Sequence, residues 1–101
     1  METTVKGVLV RARDLLSVSG WCKGKLAADV AGFGLPSDSE DAVSFCAVGA
    51  IYREVHDQCA SGLAVTLLDR LSGGDVVAFN NAPERTKEEV LDLFDRAIAA
   101  A

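Results

Sequence analysis

One histidine, one tryptophan, two prolines and three cysteines are all that a chain of 101 residues holds of these types, and each scarcity closes a class. Three cysteines leave one unpaired under any disulfide scheme, which fits free thiols in a reducing compartment better than a secreted scaffold. His56 and Cys59 stand three apart and could approach one ion, but no Cys-x₂₋₄-Cys pair supplies further ligands, so neither a metal nor another cofactor is expected. With two prolines, half the residues hydrophobic and a quarter charged, the chain reads as compact rather than disordered. Positive charge is also short: ten Lys and Arg against fifteen Asp and Glu leave a net charge of −5. That disfavours a nucleic-acid backbone, where a basic face supplies most of the affinity. The balance is too small and scattered to suggest DNA mimicry.

Long apolar runs are missing too. The most apolar stretch, Ala42 to Tyr52, has eleven residues, too few for a membrane span. Met1-Glu2-Thr3-Thr4 offers no basic leader, and Lys6, Arg11 and Arg13 interrupt the apolar residues that follow, so a cytoplasmic location is expected. Gly73-Gly74 is not followed by Lys-Ser/Thr, so there is no phosphate loop. No repeat, low-complexity tract or linker divides the chain, and its length suits one domain over residues 1–101.

What is present is helical patterning. Thr3 or Thr4 can cap a helix carrying Val5, Val8, Leu9, Ala12, Leu15 and Leu16 on one face, with Gly7 favouring a late start over a close helix crossing. Ser37 and Glu40 have capping-box spacing ahead of the 42–52 run, which predicts a central helix that is apolar over most of its circumference. Ala60, Leu63, Ala64, Leu67, Leu68 and Leu71 form an amphipathic helix ended by Gly73-Gly74. Thr86 and Glu89 form a second capping box before Val90, Leu91, Leu93, Phe94, Ala97 and Ile98. The expectation is a mainly α fold, a compact four-helix bundle of orthogonal or irregular type. Its helices fall near residues 4–17, 38–55, 59–72 and 86–100, with an irregular connector at 19–36. Residues 26–30 read equally as a short strand or a helical turn. Residues 75–79 are β-branched enough to be extended but have no obvious pairing partner.

Three segments look familiar together: Trp21-Cys22-Lys23-Gly24, Phe45-Cys46-Ala47-Val48-Gly49-Ala50, and Phe79-Asn80-Asn81-Ala82-Pro83-Glu84-Arg85-Thr86. They resemble an uncharacterised family of small bacterial and phage proteins with a W-C/T-x-G segment, a C-A-L-G-A helix and a W-N-D-x-P-x-R-T turn. The resemblance implies a shared fold and a surface formed by the three segments. It implies no activity, and Phe79 and Asn81 replace the pattern's Trp and Asp.

For chemistry, Cys22, His56 and Asn80 follow the chain order of papain-like Cys, His and Asn groups, in which an imidazole activates a thiolate and an amide orients the ring. Trp21, Phe79, Asn80 and Arg85 are the candidate binding residues: Trp21 as a stacking platform or core anchor, Asn80 and Arg85 as an anion site at a helix start or a structural latch. With no compact catalytic constellation and apolar residues in surplus, the expected function is that of an accessory or regulatory protein. It would act through a protein partner or by self-association as a homodimer, with no nucleic acid or membrane. The alternative is a small-ligand binder or a cysteine-dependent hydrolase using Cys22, His56 and Asn80.

Overall fold

A computed structural model of the chain describes residues 4–55 and 58–101. Among the described residues, five helices and four two-residue strands follow in order: α1 (Val5–Val18), β1 (Gly20–Trp21), β2 (Ala27–Ala28), β3 (Gly34–Leu35), β4 (Ser44–Phe45), α2 (Ala47–Glu54), α3 (Gln58–Leu71), α4 (Val76–Asn81) and α5 (Lys87–Ala100). The architecture is mainly helical, but a small sheet and a fifth helix replace the expected four-helix bundle.

Thr4 caps α1, its hydroxyl accepting from the Gly7 amide at 2.9 Å. The helix therefore begins ahead of Gly7 rather than after it, because the cap satisfies an amide that would otherwise lack a partner. Val8, Leu9, Ala12 and Leu16 are its buried face, packed against α2, α3 and α5. The supposed connector is the sheet. Strand order is β1-β4-β2-β3, with β1 parallel to β4 and β2 antiparallel to both β4 and β3.

The central helix expected at 38–55 starts only at Ala47. A short apolar run does not by itself separate a buried strand from a helix, and here it is divided between the two. Ser44 and Phe45 join the ladder, and Cys46 becomes the helix cap, its sulfur accepting from the Gly49 amide at 3.2 Å. Ser37 and Glu40 make no capping box. The 36–42 segment closes by turn bonds, Ser39 N to Pro36 O and Ala42 N to Ser39 O, and the Arg53 guanidinium donates to the Ser37 and Ser39 carbonyls. The buried part of the helix is Ala47 to Ile51.

The 75–79 run is helical, not extended. The Asp75 carboxylate accepts from the Val77 and Ala78 amides and that of Asp69 from Val76 N, so two acids satisfy the first amides of α4. On α3 the inward residues are Ala60, Ser61, Ala64 and Leu68. Leu63 faces out and Leu67 is half-buried, so the helix is rotated towards its small residues, which lets it lie close to α1. The Thr86–Glu89 capping box of α5 forms with both of its bonds. Phe45, Phe94, Leu9, Leu16, Ile51, Leu68 and Leu93 are the largest members of one continuous core.

Candidate functional site

The segments 21–24, 45–49 and 79–85 meet where β1 and β4 part. Up to that point the strands keep parallel pairing, Gly20 N to Val43 O at 3.0 Å and Cys22 N to Phe45 O at 3.1 Å. The next bond of such a ladder would run from Ala47 N to Cys22 O. Asn80 stands between them instead. Its Oδ1 accepts from Ala47 N at 3.0 Å and from the Trp21 indole Nε1 at 2.7 Å. Its Nδ2 donates to Cys22 O at 3.1 Å and to Asn81 Oδ1 at 3.0 Å. The side-chain amide thus continues the ladder as a peptide group would. Asn80 is 1 % exposed, and both donors and both lone pairs are in use.

Around this amide the 80–83 segment grips the 21–24 loop. Asn81 Oδ1 accepts from Gly24 N at 2.9 Å, and Gly24 has the left-handed φ of 76° that glycine tolerates. Lys23 Nζ donates to the carbonyls of Ala82 at 2.7 Å and Pro83 at 3.2 Å, and lies 5.3 Å from the Trp21 ring centre. Arg85 is engaged likewise. Its guanidinium stacks on Phe79 at 3.6 Å, its Nε donates to Phe79 O at 2.8 Å, and it pairs with Glu89 at 3.1 Å. The Thr86 amide, followed by the Thr86 hydroxyl and Arg85, holds the Glu89 carboxyl below its ordinary range.

Of the candidate catalytic residues, Cys22 and Asn80 are brought together, and His56 lies outside the described residues. The contact is between the Asn80 amide and the Cys22 backbone carbonyl, not the thiol. The Cys22 sulfur donates to Lys25 O at 3.6 Å, and burial pushes its pKa up more than the Ser44 hydroxyl lowers it. Asn80, fully bonded, has nothing left with which to orient an imidazole. Of the candidate binding residues, Trp21 pairs with Asn80 and Phe79 with Arg85. Among the described residues no group of three or more His, Cys, Asp or Glu side chains could hold a metal, and no helix is long and apolar enough to cross a membrane.

Beside the latch is a cleft of about 180 Å³ lined by Gly24, Lys25, Leu26, Cys46, Val48, Val77, Asn80 and Asn81. Neither Trp21 nor Phe79 lines it. Leu26 and Val77 at its wall are 41 % and 49 % exposed. From Leu26 the chain rises through β2 into a hairpin tip, Asp29 to Phe33, that the sequence reading passed over. The Asp29 carboxylate accepts from Ala31 N and Phe33 N, both at 2.9 Å. Backbone bonds Gly32 N to Asp29 O and Asp29 N to Phe33 O close the turn, and Lys25 Nζ ties down Gly32 O at 2.8 Å. Val30 and Phe33 nevertheless point away from the protein, 92 % and 71 % exposed. The signal was there: Asp and Gly three apart between two short apolar runs form a turn pattern.

The chain belongs to DUF6197, a family of unknown function, whose model matches residues 1–100. No curated protein and no solved structure matches it. In this DUF6197 chain the segments 21–24, 45–50 and 79–86 supply the latch, and at Gly49 a Cβ would overlap the carbonyl of Leu26. They are where the fold joins its distant parts.

Proposed function

We propose that this protein is a small cytoplasmic accessory or regulatory module of bacterial or phage origin that works by binding another protein. The observation that carries the reading is the hairpin tip. An Asp carboxylate, three backbone or lysine bonds and a left-handed Gly32 fix its shape, yet its large side chains, Val30 and Phe33, contribute nothing to the core. A turn held rigid while it displays apolar side chains loses little entropy on binding, which is what an anchor requires. The cleft at the foot of the hairpin fits the same reading. Small-molecule sites usually exceed about 300 Å³, whereas about 180 Å³ suits one apolar side chain of a partner.

The partner is a protein from the native host or a second copy of the chain. Light scattering after size-exclusion chromatography, with pull-down from that host, tests both. Phe33→Ser combined with Val30→Ser should leave the melting temperature unchanged, since both residues are exposed, and abolish the association of the parent. A parent that is strictly monomeric, recovers no protein and is stabilised by a metabolite would overturn the proposal in favour of a small-ligand binder.

A further inference from the structure

We propose that Cys22 and Cys46 form a reversible disulfide, an oxidation site at the end of the β1–β4 ladder. The bond from Cys22 N to Phe45 O places Cys22 opposite Cys46, one step beyond the Trp21–Phe45 pair. Residues in step on neighbouring strands share a face, and strands lie about 4.8 Å apart. The Cys22 N to Phe45 O bond still holds the two residues together on their near side, although the strands part just beyond it to admit Asn80. A disulfide bridges Cα atoms over about 4.4–6.8 Å, which leaves room for that widening. Each sulfur has only neutral partners: Cys22 donates to the Lys25 carbonyl at 3.6 Å and meets the Ser44 hydroxyl, and Cys46 accepts from the Gly49 amide at 3.2 Å.

Their surroundings divide the work. Cys22 is half-buried and can be reached from solvent, whereas Cys46 is buried. Burial pushes both thiols up, but the Gly49 and Val48 amides at the start of α2 partly offset it at Cys46, as helix N-termini do for thiolates. With a small disulfide such as oxidised glutathione, the Cys22 thiolate attacks one sulfur and expels the first thiolate, leaving a mixed disulfide. The Cys46 thiolate then attacks the Cys22 sulfur and expels the second. The two protons released by the cysteines end on the two departing thiols. The product closes a loop from 22 to 46 that contains the whole hairpin, so oxidation would pin the base of the exposed tip. The proposal stands on strand geometry and is independent of what the tip binds.

The test uses the folded full chain carrying Cys59→Ser, so that the exposed thiol on α3 adds no side products. It is titrated with oxidised and reduced glutathione, quenched in acid, and read by peptide mass. The expected product joins the Cys22 and Cys46 peptides and reverts on reduction. Cys46→Ser should stop at a glutathione adduct on Cys22, and Cys22→Ser should leave Cys46 unmodified. A stable adduct on Cys22 that Cys46 never resolves would overturn the proposal. So would oxidation of the pair only after denaturant is added.

Discussion

Asn80 is a single side chain on which three segments depend. Its removal takes the partner from Ala47 N, which is buried, and from Cys22 O and Trp21 Nε1, which are part-buried. A buried orphan costs about 1–3 kcal/mol, a part-buried one less because water can reach it. Asn80→Ala should therefore lower stability by about 2–4 kcal/mol. Trp21→Phe removes one donor and leaves Asn80 bonded to Ala47 and Cys22, so about 1–2 kcal/mol is expected. Urea melts of the two variants decide the matter, and equal small losses would show that the amide is not the keystone. A turn-forming role for Asn80 was legible in the sequence, since Asn commonly bonds backbone near it. Its partners were not, because Trp21 and Ala47 lie 59 and 33 positions away.

At the scale of elements, glycines in two helices make opposite predictions. Gly49 lies on the buried face of α2, where a Cβ would strike the Leu26 carbonyl. Backbone cannot move aside as a flexible side chain can, so Gly49→Ala should cost at least the 1–3 kcal/mol typical of overpacking, about as much as a lost core methylene or more. Gly62 sits inside α3 with nothing within 4 Å of its would-be Cβ. Gly62→Ala should stabilise by about 0.5–1 kcal/mol, the helix-propensity difference. Thermal melts of both give the signs, and a neutral Gly49→Ala would mean that α2 does not press on the 24–26 segment. Nothing in the local sequence distinguishes the two glycines. The distinction comes from the strand segment that crosses α2.

For the whole molecule, α1 and α2 together fill the middle, and α3 and α5 close over α1. The rotation of α3 decides which leucine matters. Leu68 is fully buried, so Leu68→Ala should cost about 2–5 kcal/mol through the cavity left behind. Leu67 is only partly buried at the edge of the core, and Leu67→Ala should cost clearly less. Chemical denaturation of the pair checks the rotation, and the reverse order would refute it. Helical spacing alone put Leu63, Leu67 and Leu68 on one stripe. The stripe was broader than the face the core could take in.

The sequence by itself determined helices near 4–17, 59–72 and 86–100, within a residue of the observed Val5–Val18, Gln58–Leu71 and Lys87–Ala100, because hydrophobic period together with a cap or a terminal glycine is a local signal. It also singled out the three segments that meet in the latch. Only the tertiary structure decided that the 42–52 run splits between a strand and a helix, that 76–81 is helical, and that 20–45 pairs into a sheet. Two-residue strands have too little period to register as strands. Their stability comes from partners up to 24 residues distant, Gly20 with Ser44 and Trp21 with Phe45, and from one buried amide that completes the ladder where the backbone stops.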